Sequence, residues 1–120
     1  MSLEKQLSHS MEILSMPDKF QQRKQAGALL VLFGGAHCGV CQAIKPKIEQ
    51  LVSERFPEIL LAYIDCEQSP EICAQEGVFS LPVLKLFIDG QIHLELARNF
   101  SFQELRSRIE RPYELWMTTR

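Results

Sequence analysis

The hydrophobic period changes twice between residues 28 and 65, and that double change restricts the fold more than any other feature. Ala28 to Phe33 (Ala-Leu-Leu-Val-Leu-Phe) is apolar at every position, without alternation. A short run of that kind, bounded by glycines, suits a central strand buried on both faces. From Gly39 onward, Ile44, Ile48, Leu51 and Val52 fall on one helical face, with Lys45, Lys47, Glu49 and Gln50 largely off it. This helix is expected to reach about Arg55, kinked by Pro46. Ile59 to Asp65 is a second apolar run. Strand, helix and strand in that order give a right-handed crossover with parallel strands, which sets the class as α/β.

The flanks extend this unit. Leu3, Leu7, Met11 and Leu14 recur at helical steps, so residues 2 to 14 fit an amphipathic helix; residues 11 to 14 fit a short strand equally well. Ser15 or Asp18 is placed to cap a helix that contains Pro17, runs to about Gln25 and stops at Gly27. Ser69-Pro70-Glu71 carries the signals of another helix start, and that helix should end at Gly77. Val83 to Ile88 reads as a third strand, and Asp89-Gly90 as a two-residue hairpin turn. In the strand from Gln91 to Ala97, alternation places Ile92, Leu94 and Leu96 inward. Ser101-Phe102-Gln103-Glu104 is a capping box for a last helix whose Phe102, Leu105 and Ile109 face the sheet. Pro112 is expected to break that helix, leaving 113 to 120 as a tail with Trp116 docked or free. Residues 1 to 120 then form one domain with its core over about 11 to 110, a length that can close a core without disulfide staples.

Composition excludes several functions. With 13 basic and 15 acidic residues the chain has no basic excess to suggest nucleic acid or an anionic membrane surface. No apolar run approaches the roughly 20 residues that span a bilayer. The first residues, Met1-Ser2-Leu3-Glu4-Lys5-Gln6, do not form a secretory signal, so a cytoplasmic location is expected. In that setting a close pair among four cysteines is more often catalytic or metal-binding than structural.

Cys38 and Cys41 are that pair, lying between the buried run and the helix. Cys38 falls where free backbone N–H groups and the helix dipole stabilise a thiolate. Cys41, one turn further in, is expected to be more buried and less acidic. The assigned roles are attack on a disulfide by Cys38 and resolution by Cys41.

The segment Cys38-Gly39-Val40-Cys41 resembles the Cys-Gly-Pro-Cys of the thioredoxin family. Pro46 lies five residues after the second cysteine, where that family has its helix proline. Gly77-Val78-Phe79-Ser80-Leu81-Pro82-Val83 resembles the segment with its cis-proline, and Asp89-Gly90 its hairpin turn. The likeness covers about Ala28 to Ile109. It implies a three-layer α/β/α sandwich with a mixed four- or five-stranded sheet. It also implies a docking groove shaped by His37, Gly39, Val40, Leu81 and Pro82, and no prosthetic cofactor beyond the redox-active disulfide. Disulfide-containing proteins would be the substrates, with electrons from a reductase or a small thiol. The chain departs from the family at His37 (usually tryptophan), Gly34 (an aromatic), Val40 (proline), Leu32 (a buried aspartate), Tyr63 (that aspartate's lysine partner) and Arg98 (glycine).

Other readings stay open. A thioredoxin-fold binding, adaptor or redox-sensing module would keep the fold without the reductase activity. Zinc needs four ligands and fits this spacing less well. His37 is either a charge that stabilises the Cys38 thiolate or an exposed contact residue. Cys66 and Cys73 are expected to be small buried core residues. A second disulfide between them is the alternative, since sequence cannot supply the Cα separation a disulfide requires.

Overall fold

A computed structural model describes residues 10–120. The amphipathic helix expected over residues 2 to 14 begins outside the described residues. Within them, Glu12–Ile13 forms a short strand, β1. The remaining elements are α1 (Pro17–Gln25), β2 (Ala28–Gly34), α2 (Gly39–Arg55), β3 (Leu60–Asp65), α3 (Pro70–Gln75), β4 (Val83–Ile88), β5 (Gln91–Ala97) and α4 (Phe102–Thr118).

The five strands form one mixed sheet in the order β1-β3-β2-β4-β5. β2 lies at its centre, parallel to β3 and antiparallel to β4, and all seven of its residues are buried. Burial on both sides explains its unbroken apolar sequence. Leu30 and Leu32 join Ile48, Val52, Leu105 and Ile109 under α2 and α4. Leu29, Val31 and Phe33 join Phe20 and Ile72 under α1 and α3. Two apolar layers on either side of one sheet make the three-layer sandwich.

Several local expectations are corrected. Met16, not Ser15 or Asp18, is the N-cap of α1, and its side chain makes no capping bond. Ser69 occupies the N-cap of α3 without capping it; its hydroxyl donates to the Ser15 carbonyl instead (3.4 Å). Ile92 is half exposed, because a register shift between Leu86 and Phe87 sets Ile92 opposite Phe87 and leaves His93 as an extra residue. One inserted residue moves a side chain to the other face of a strand. The hairpin turn has the backbone its sequence requires, with φ of 50° at Asp89 and 88° at Gly90.

Pro112 does not end α4, which continues to Thr118. A proline in a helix forfeits one backbone hydrogen bond. Packing offsets the loss here. Tyr113 meets Phe56 edge-on (5.1 Å between ring centres), its hydroxyl accepts from the Glu58 N–H (3.3 Å), and Arg120 lies over the Trp116 ring (4.6 Å) and pairs with Glu58 (3.0 Å). The expected tail is therefore the end of a docked helix. At its N-terminus, Ser101 accepts from the Glu104 N–H (3.0 Å), as a capping residue should.

Candidate functional site: a half-exposed cysteine pair at one end of the sheet

Three strand ends converge on the site. Gly34, the last residue of β2, lies beside Asp65 at the end of β3, and Phe33 lies beside Val83 at the start of β4. The loop with Cys38 and the Leu81-Pro82 segment therefore leave the sheet at the same edge. The Leu81–Pro82 peptide is cis. The Pro82 carbonyl accepts from the N–H of Arg98 (2.9 Å), whose φ of 61° is left-handed. A glycine adopts that conformation without steric cost, and the arginine is held in it by this bond and by Nε donation to Ser80 Oγ (3.4 Å).

Cys38 is the N-cap of α2, and its sulfur accepts from the Cys41 N–H (3.2 Å). The two cysteines are joined as a disulfide with their Cα atoms 5.3 Å apart. Cys38 is partly exposed and Cys41 fully buried. A substrate can reach the first sulfur and not the second. Gly39 and Val40 are exposed beside them. Val40 also lines a shallow depression with Ile44, Arg98, Phe100 and Glu104. Phe79, in the loop that leads to Leu81, is the most exposed large apolar residue among those described (84%).

The comparisons with known proteins agree with this geometry. The thioredoxin family model matches residues 11–111. The chain belongs to the thioredoxin family. It is 38% identical over 79 residues to the thioredoxin-like protein YdfQ of Bacillus subtilis, covering 66% of this chain and 70% of the relative. It is 32% identical to thioredoxin of Chlamydia muridarum over 93 residues, 78% and 87% of the two chains. Among solved structures, Fasciola hepatica thioredoxin superposes with a TM-score of 0.73 at 28% identity, covering 84% of this chain and 98% of the other.

Three of the positions at which the resemblance breaks, Leu32, Gly34 and Tyr63, lie together. Leu32 and Tyr63 are register partners on β2 and β3. Neither is ionised at neutral pH, so this pair of positions carries no buried ion pair. Gly34 is small for a physical reason: a Cβ there would lie 2.7 Å from the Tyr63 hydroxyl and 2.9 Å from Cys41 Cβ. Burial, followed by the charge of Asp65, pushes the Tyr63 phenol above its usual range; a bond from Gln42 opposes the shift.

His37 Nδ1 lies 2.9 Å from Glu67 Oε1, and the His37 N–H reaches Glu67 Oε2 at 3.4 Å. The hydrogen bond and then the charge of Glu67 raise the imidazole above its ordinary value, and the same hydrogen bond lowers the Glu67 carboxyl. The ring is 90% exposed and is paired with the Glu67 carboxylate, one residue before Cys38. Glu67 was not legible as a site residue, since no local spacing links positions 37 and 67. A turn places it there, with Asp65 Oδ1 accepting from the N–H groups of Glu67 (2.8 Å) and Gln68 (3.2 Å).

The expectation for Cys66 and Cys73 is also corrected. They form a second disulfide, with Cα atoms 5.7 Å apart. Cys66 begins the loop after β3 and donates its N–H to the Gly34 carbonyl (2.8 Å), while Cys73 is buried on α3. Among the described residues no group of three or more His, Cys, Asp or Glu is placed to hold a metal, and no helix is long and apolar enough to cross a membrane.

Proposed function

We propose that the protein is a thiol–disulfide oxidoreductase that reduces or exchanges disulfides in protein substrates through Cys38 and Cys41. One observation carries this reading: the accessible sulfur caps a helix N-terminus and the buried sulfur one turn on is already within bonding distance of it. Free N–H groups and the dipole at that position stabilise a thiolate on Cys38.

In the reducing direction the Cys38 thiolate attacks a substrate disulfide. One substrate sulfur leaves as a thiolate, and a mixed disulfide forms. Cys41, losing its proton, then attacks Cys38. The Cys38–Cys41 bond forms, the mixed disulfide breaks, and the second substrate sulfur leaves and takes up a proton. The substrate gains two electrons and the pair loses two. A reductase or a small thiol returns the pair to the dithiol, which suits a reducing compartment such as the cytoplasm. Exposed Val40, between the cysteines, and exposed Phe79, in the loop that leads to Leu81, offer apolar contact to a polypeptide. His37 and Arg98 add basic groups at its rim.

The test is reduction of insulin by the reduced protein, together with capture of substrates by Cys41→Ser. Insulin reduction and mixed disulfides trapped through Cys38 are the expected results. Absence of both overturns the oxidoreductase reading and leaves a binding module. Equilibration with glutathione then gives the direction of electron flow, since about 30 mV changes a two-electron equilibrium roughly tenfold.

A further inference from the structure

The resolving step requires the buried Cys41 to ionise, and neither of the register partners Leu32 and Tyr63 supplies a carboxylate. Burial in apolar surroundings raises a thiol and slows that step unless something stabilises the anion. Tyr63 is positioned for this. Its ring packs in the apolar layer with Leu32 and Ile48, and the residue is only 5% exposed. Its hydroxyl occupies the space that a side chain on residue 34 would fill, and that same space borders Cys41 Cβ. The hydroxyl oxygen accepts from Gln42 Nε2 (3.1 Å), which also donates to the Gly35 carbonyl (3.3 Å). Its own proton has no acceptor among the described residues. A hydroxyl with one acceptor site filled and its donor unspent thus lies beside the resolving cysteine.

We infer that the Tyr63 hydroxyl donates a hydrogen bond to the Cys41 sulfur in the reduced protein and stabilises its thiolate during resolution. The inference rests on the exchange reaction proposed above and names the group that serves its second half. Tyr63 is a donor, not a base: its raised phenol keeps its proton throughout the neutral range. Net proton transfer in the step still runs from Cys41 to the departing substrate sulfur. Gly34 is the companion requirement, because any Cβ there displaces the hydroxyl. Gln42 fixes the phenol's orientation by filling its acceptor side.

The test is Tyr63→Phe, which removes one oxygen and keeps the ring in the core and beneath Lys45 (5.0 Å from its centre). Two readouts are taken. One is the titration of Cys41 in the reduced protein, followed through its labelled Cβ. The other is the pH profile of thionitrobenzoate release from a mixed disulfide formed on Cys38 at low pH. The charged groups around Cys41 (Lys45 on α2, Asp65 ending β3, Glu67 in the next loop, and His37 and Cys38 before the helix) are present in both proteins, so the difference isolates the hydroxyl.

The expected result is a higher Cys41 titration and release slowed about tenfold at neutral pH, the order expected for one hydrogen bond to a charged group. The profile should shift alkaline with the same plateau, which loss of packing alone would not produce. Gly34→Ala should act in the same direction with the phenol retained. Native titration and native release in Tyr63→Phe overturn the inference. If the native protein fails to reduce insulin and Cys41→Ser traps no substrate, the function reading fails separately, because the Cys41 titration is read with no substrate present.

Discussion

The two disulfides have the same local plan and differ in where the first cysteine sits relative to its helix. Each ties the loop after a parallel strand to the helix that follows: Cys38 and Cys41 after β2, Cys66 and Cys73 after β3. In both pairs the first cysteine is partly exposed and the second buried; Cys38 is the N-cap of its helix, whereas Cys66 lies in the loop before the Ser69 N-cap and packs against the layer of Ile72 and Val78. Under the proposed function the first bond is the one that exchanges. The other closes a short loop and holds it against Gly34 through the Cys66 N–H. On that reading redox use depends less on the bond or its exposure than on what stabilises the first cysteine's anion, a helix N-terminus at Cys38 and none at Cys66. The two are also joined, since the loop held by Cys66 carries Glu67, the partner of His37.

The largest effect that tests this contrast is Cys38→Ser, which should abolish disulfide reduction in the insulin assay while leaving the urea midpoint nearly unchanged after allowance for the lost bond. Exchange that persists in Cys38→Ser would transfer the redox role to the second pair. The converse is the double variant Cys66→Ala with Cys73→Ala. It should lose about 2–3 kcal/mol by urea unfolding, the chain-entropy value for so short a loop, and still reduce insulin. Loss of insulin reduction in a folded double variant would break the contrast.

The smallest effect probes the link between them. Glu67→Gln removes the charge and weakens the charge-assisted hydrogen bond that raise His37, so the imidazole should titrate lower, back toward its ordinary value, in a nitrogen- or carbon-detected NMR titration. The sign of the pair's contribution follows from both partners. The raised His37 loses it as pH rises through the elevated imidazole value, and the lowered Glu67 loses it as pH falls through the depressed carboxyl value. The pair acts between those limits and weakens with salt, since both groups are at the surface. A Cys38 alkylation rate that ignores both Glu67→Gln and the His37 titration would reduce His37 to a contact residue.

Much of the fold was legible because its signals are local. The apolar run at 28–33 and the helical spacing from Ile44 to Val52 each describe one element and its buried face. Pro112 misled because a proline rule weighs one hydrogen bond and cannot weigh Tyr113 on Phe56 or Arg120 on Trp116. Ile92 misled because alternation assumes an unbroken register, and the register shift on β5 breaks it. At the site, Cys38 and Cys41 were legible from their place between strand and helix. Glu67 and Gln42 were not, because their partners lie far along the chain or across a loop.

The sequence by itself determined the α/β class, the crossover unit and the place of Cys38 and Cys41 between strand and helix. Periodicity and a three-residue spacing within one helical turn are enough to place two sulfurs together. Tertiary structure alone decided that Cys66 meets Cys73, that His37 meets Glu67 and that the Tyr63 hydroxyl occupies the space left open at Gly34. Those approaches depend on the register of β2 against β3 and on the path of the loop after Asp65. Both are set by packing the whole sheet between its helices, which no local stretch of residues encodes.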